Sequence, residues 1–228
     1  MTLDIALQFT SILLGFAFIV QSSEHVKAEF WLYMPRIVLS VLLMLGLHAD
    51  IVCVGLLISS TLLLHRYNGP YNGGADRMGL LVLVCLTLAY LLPAAYAEIA
   101  FGYLALQLIL SYFISGYVKI VNPEWRSGRA LKDVFLYSGY PQSEQFRALE
   151  GKRELIFIAS WAVILFELAF PFMLLEYGFL IAALVIAAFF HLSNAIFFGL
   201  NRFFWVWISA YPSIIWFYGR VIEGGALL

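Results

Sequence analysis

Charge is what this sequence has least of. Only 12% of its 228 residues are Asp, Glu, Lys or Arg, about half the share that a soluble domain carries. The few charges nearly cancel, with a formal net charge of -1. They form no basic or acidic block, so nothing invites nucleic acid. Cysteine is almost missing as well. Cys53 and Cys85 both lie inside apolar runs without CxxC or Cys/His spacing. That speaks against a disulfide framework or a metal site and leaves two packing thiols.

Apolar residues fill the space that charge vacates. They make up 63% of the chain, and mean hydropathy is +0.92. This composition belongs to an integral membrane protein with much of its surface facing lipid, so the lipid bilayer is its first partner. A membrane-spanning helix needs about 20 apolar residues, fewer where helices are short or partly buried. Apolar runs at about 5–21, 33–47, 51–65, 79–97, 100–118, 154–175, 178–199 and 203–220 predict an all-α, polytopic membrane helix bundle of about 7–8 transmembrane helices. The whole of 1–228 reads as a single transmembrane domain. His48-Ala49-Asp50 is read either as a tight turn between two short helices or as a polar break in one bent segment. The first run follows Asp4 and lacks a basic leader and a small-residue cleavage site, so it predicts a retained helix.

One polar stretch interrupts the spans, from about 121 to 153. Trp125, Leu131, Val134, Phe135 and Phe146 alternate there with Arg126, Arg129, Lys132, Arg147, Lys152 and Arg153. It reads as a solvated loop with a short interfacial helix, or else as a lid. With eight spans nearly every Lys and Arg falls on one side, and Arg220 falls opposite. The positive-inside rule then places the basic side in the cytoplasm and both termini outside.

A few polar residues sit where hydrocarbon makes them expensive. Lys119 closes the run Tyr112-Phe113-Ile114-Ser115-Gly116-Tyr117-Val118-Lys119. On spacing alone it is either an anchor at a helix end or a group that does chemistry. Glu167 lies in the middle of a span and must be paired or protonated; Lys119 and Arg202 are its candidate partners. His191, with Ser193 and Asn194 after it, interrupts an apolar span and can bond across helices. The segment His65 to Arg77 is rich in turn formers and includes Asn68.

The order Tyr112-Phe113, Gly116, Lys119, then Trp125 and Gly128 resembles the "YFxxGxxK … W … G" signature of the horizontally transferred transmembrane (HTTM) family. That family includes the membrane part of vitamin K-dependent gamma-carboxylases. Phe190-His191-Leu192 with Asn194 is similar to a second family block, "FHLxN". The resemblance implies a membrane lyase that uses a reduced quinone, of menaquinol or vitamin K hydroquinone type, with oxygen and carbon dioxide as co-substrates. It implies Lys119 as the base that deprotonates the quinol and His191 as a second catalytic group. Asn68, Trp125, Glu167 and Asn194 then fall at the quinone or substrate. An amine held away from water favours its neutral, proton-accepting form, which suits a hydroquinone hydroxyl of pKa about 10. In the carboxylases a histidine follows the loop asparagine, whereas Gly69 follows Asn68 here. The carboxylases also carry a large soluble domain that holds their peptide. By analogy, a peptide substrate of this chain would be presented by another protein, in peptide modification or maturation at a bacterial inner membrane. The alternative expectation is a non-catalytic membrane scaffold, or a lipid- or quinone-binding partner protein.

Overall fold

The computed structural model describes residues 1–66, 74–137 and 148–224. Among them there is no strand, and the fold is an all-α, polytopic membrane bundle. The described residues hold ten α-helices in succession: α1 (Leu3–Ser23), α2 (Phe30–Met44), α3 (Ala49–Arg66), α4 (Gly74–Leu91), α5 (Ala94–Val121), α6 (Pro123–Arg126), α7 (Arg129–Tyr137), α8 (Arg153–Ala169), α9 (Tyr177–Phe198) and α10 (Asn201–Phe217). A 3-10 stretch, Phe170–Leu175, prolongs α8, and a π-helical turn, Tyr218–Ile222, prolongs α10. Among the described residues, six helices are long and apolar enough to cross a membrane: α1, α3, α4, α5, α8 with its 3-10 extension, and α9. The helix α2 is a shorter apolar one. With α10, these eight correspond in number and order to the eight apolar runs of the sequence.

The ambiguity at His48-Ala49-Asp50 resolves as a turn. Gly46 (φ 69°) and His48 (φ 47°) both take left-handed backbone there, which ends α2 and lets α3 start afresh. The break between the fourth and fifth helices differs from expectation. It falls at Leu92–Pro93, not near residues 98–99, so α4 is Gly74–Leu91 and α5 begins at Ala94. Proline disfavours helical backbone in the residue before it and cannot donate into a continuing helix, yet it opens a new one well. Glu98, which falls at the expected break, lies inside α5. It is ion-paired there with Arg220 at 3.2 Å.

The chain forms two compact units. The first comprises Met1–Leu106 and Arg202–Leu228. Within it α1 packs on α2 and α4, and α3 packs on both of those. Buried Leu14, Phe18, Leu43, Leu56, Leu83 and Leu86 form its core. Gly15 permits the close approach of α1 to α2, because a Cβ there would lie 2.8 Å from the Ser40 carbonyl oxygen. The second unit, Gln107–Asn201, holds the last part of α5 with α6, α7, α8 and α9. Both α6 and α7 pack on α8, and the 3-10 stretch packs on α8 and α9. The polar stretch thus holds two short helices and a 3-10 turn, Ala148–Gly151, and residues 138–147 lie outside the described residues.

Candidate functional site

Four residues of α5 line up along one face of the helix. Tyr112, Ser115, Gly116 and Lys119 follow the i, i+3, i+4, i+7 spacing that stacks side chains over one another. All four meet α8 or α9 within the second unit. Gly116 sets the distance. A Cβ at this position would lie 2.8 Å from the backbone nitrogen of Leu168 and 3.0 Å from the Glu167 Cβ. No larger residue lets α5 and α8 come this close.

That approach brings Lys119 to Glu167. Lys119 Nζ donates to Glu167 Oε2 at 2.7 Å, to Glu167 Oε1 at 2.9 Å and to Ser115 Oγ at 2.6 Å. An ammonium carries three N–H donors, so its bonding capacity is filled. Ser115 Oγ in turn donates to Glu167 Oε1 at 3.2 Å. The side chains of Lys119 and Glu167 are 14% and 3% exposed. The carboxylate is therefore sealed, while the Lys119 side chain keeps some exposure. Of the two partners expected for Glu167, Lys119 is the one observed. Arg202 instead pairs with Glu24 at 2.6 Å within the first unit.

The polar stretch folds back over the lysine. Asn122 caps α6 by accepting from the Glu124 N–H, and Pro123 takes the first helical position, where its missing N–H costs nothing. Trp125 then lies with its ring centroid 5.2 Å from Lys119 Nζ, in cation–π range. Two bonds from α8 fix this lobe. Ser160 Oγ donates to the Trp125 carbonyl at 2.6 Å, and Trp161 Nε1 to the Arg126 carbonyl at 3.0 Å. Gly128 adopts φ 80° with its Cα against Phe157; a Cβ there would be 3.2 Å from the Phe157 Cα. Each spaced residue of the 112–128 pattern thereby has a local physical role.

Two turns before Lys119, about 10 Å along the helix, Tyr112 meets His191 of α9. The Tyr112 hydroxyl and His191 Nε2 are 2.7 Å apart, and the two residues are 3% and 2% exposed. Phe170 stacks on the Tyr112 ring at 4.1 Å, and Phe166 meets it edge-on at 6.1 Å. The result is an aromatic wall with one hydroxyl–imidazole pair in it. Neither Tyr112 nor Ser115 was singled out as a candidate from the sequence. The signal was present in their spacing from Lys119.

Other candidates stand apart from these contacts. Asn194 is half-buried, and its backbone carbonyl accepts from Gly199 and Leu200 to close the end of α9. No hydrogen bond of its side chain occurs among the described residues. Asn68 lies outside the described residues. No group of three or more His, Cys, Asp or Glu able to hold a metal occurs among the described residues.

Chemically, the lysine–glutamate pair can pass a proton between its members without changing its net charge. The tyrosine–histidine pair can donate or accept a hydrogen bond at a second point of the same helix face. A family model, described as the HTTM domain, matches residues 98–218, which is more than half of the chain and takes in the Lys119–Glu167–Ser115 and Tyr112–His191 contacts. No curated protein and no solved structure matches the chain.

Proposed function

The chain belongs to the HTTM family, and from that premise we propose that it is a membrane enzyme that uses a reduced quinone, with Lys119 as the general base. The observation that carries this reading is the Lys119–Glu167–Ser115 cluster, a sealed carboxylate bonded to the amine of a lysine that is not itself fully buried. The residues present suit a quinol. The amine can receive a hydroxyl proton, and the half-buried Phe166 ring can offer an apolar face to a fused ring system.

A reduced quinone bound there would supply, with oxygen, a base strong enough to take a proton from a carbon acid that could then add carbon dioxide. The chain's own part is proton handling. All three N–H bonds of Lys119 are engaged, so the amine must first release one proton before it can accept another. Glu167 Oε2, at 2.7 Å, receives it. That internal transfer replaces two opposite charges by two neutral groups, which a water-poor setting tolerates well. The free amine then takes the hydroxyl proton and becomes ammonium again, and its charge balances the new anion. Trp125 holds the ammonium through its ring face. Tyr112 and His191 offer a hydrogen bond at a second point. Bundle and lipid keep bulk water from quenching the base.

The carbon acid in this proposal is a peptide presented by another protein, and the setting is a bacterial inner membrane. The test uses purified protein in lipid nanodiscs, supplied with reduced naphthoquinol and oxygen. Quinone epoxide, read by mass spectrometry, is the expected product.

One observation favours a second reading, a non-catalytic scaffold or quinone-binding partner. A lysine with every donor satisfied is also what a purely structural ion pair looks like. On that reading exposed Arg126 and Arg129 form a docking surface. Reversing both to Glu then abolishes pulldown of the partner, whereas on the enzyme reading epoxide formation survives that change.

A further inference from the structure

Arg36 is a buried cation with no counterion bonded to it. It lies in the apolar helix α2, six residues beyond Phe30, and is 4% exposed. Its guanidinium carbon sits 4.1 Å from the centroid of the Phe18 ring, itself buried. Nε makes no hydrogen bond, and no ion pair reaches the side chain among the described residues. Arg202 is bound to Glu24 and Arg66 to Glu29. Asp76 accepts from Gln21 Nε2 at 2.6 Å and acts on Arg36 through space, without a hydrogen bond or ion pair to it. A second polar group shares this condition. Ser22 Oγ, one turn beyond Phe18 on the same face of α1, is fully buried and has no partner.

Leaving a guanidinium unpaired in a bundle is strongly unfavourable, and arginine has no accessible neutral form to retreat to. An intramembrane cation of this kind marks a binding site whose occupant carries the opposite charge. Depth points to the occupant. Trp31 is 88% exposed and Phe30 50% exposed at the start of α2, as aromatic residues at headgroup level are. Arg36 lies five residues below Trp31, about 7.5 Å along the helix. Its Cα–Cβ bond tilts back toward the helix start, so the head is carried up toward that plane. Only Nε of its three nitrogens is both sealed and unbonded. The Nη1 and Nη2 edge therefore remains to grip two oxygens at once, the geometry in which arginine binds phosphate best.

We propose that Arg36, with Ser22, forms a binding site for a phosphate oxyanion of the kind a phospholipid headgroup carries. The site lies outside the Lys119 cluster and does not depend on the quinone reading. Its test is thermal unfolding of the purified full chain in detergent. Three additions are compared: phosphatidylglycerol, diacylglycerol with the same chains, and inorganic phosphate. Phosphatidylglycerol should raise the wild-type midpoint by about 5 °C over diacylglycerol. Arg36→Gln should abolish that difference, and Arg36→Lys, which keeps the charge without the fork, should retain part of it. A response to the lipid alone assigns the site to lipid. An equal response to inorganic phosphate assigns it to phosphate from solution. The proposal is overturned if wild type responds equally to phosphatidylglycerol and diacylglycerol with no response to phosphate, or if Arg36→Gln responds as wild type does. Should Arg36→Gln fail to fold, the wild-type comparison and Arg36→Lys decide alone.

Discussion

Two opposite charges drawn out of water depend on each other, because removing either leaves the other stranded. Glu167 is the more deeply sealed of the pair, so Lys119→Ala should destabilise the protein by about 3–5 kcal/mol. The double change Lys119→Met with Glu167→Gln leaves no buried charge and should recover most of that loss. Thermal unfolding of the two variants checks this; equal losses would mean that the pair contributes nothing as a pair. A consequence for function follows. Lys119→Ala cannot separate lost chemistry from lost folding, whereas Lys119→Arg keeps the charge and removes the base. At this scale the sequence was half legible. Glu167 announced itself by its position in an apolar run, but two cations were open to it and only packing chose Lys119. Arg36 read as one more cation on the basic side, because nothing in a sequence distinguishes a solvated arginine from one pressed over a phenylalanine.

At the scale of elements, α5 is the organising helix of the candidate site, and its contact with α8 turns on one residue. Gly116→Ala would push a methyl to 2.8 Å from a backbone nitrogen, which cannot swing aside as a side chain would. The helices must part. We expect a loss of about 1–3 kcal/mol by thermal unfolding, together with a weakened Lys119–Glu167 contact. Gly102→Ala on the same helix is the control, since its Cβ would meet nothing nearer than 3.7 Å. It should match wild type or gain up to about 1 kcal/mol from helix propensity. A Gly116→Ala variant as stable as Gly102→Ala would refute the packing argument. Helix positions were legible from the apolar runs, whereas His48-Ala49-Asp50 left a turn and a bent segment both open, and only the left-handed backbone at Gly46 and His48 decided for the turn. The α4–α5 break was expected near residues 98–99, yet Glu98 is a polar residue held inside α5. Arg220, more than a hundred residues away in sequence, makes it affordable there. Pro93 carried the correct local signal.

For the whole molecule, the alternation of eight helices with the bias of Lys and Arg toward one side predicts that the 122–152 stretch faces the cytoplasm. A cysteine placed at Ser127 should therefore be labelled by a membrane-impermeant maleimide from the cytoplasmic side alone. Native Cys53 and Cys85, both buried, should stay silent. Labelling from the opposite face would invert the topology. Family membership and membrane residence rest on the HTTM match and the apolar helices. Quinone chemistry rests on one cluster and on the resemblance that first drew attention to Lys119. The measurement that tests it most directly is epoxide formation from reduced naphthoquinol and oxygen, in nanodiscs, by wild type and by Lys119→Arg prepared to the same folded yield. The account predicts epoxide from wild type and at least about a hundredfold less from Lys119→Arg. Equal epoxide from both, or none from wild type while the quinol stays intact, would contradict it.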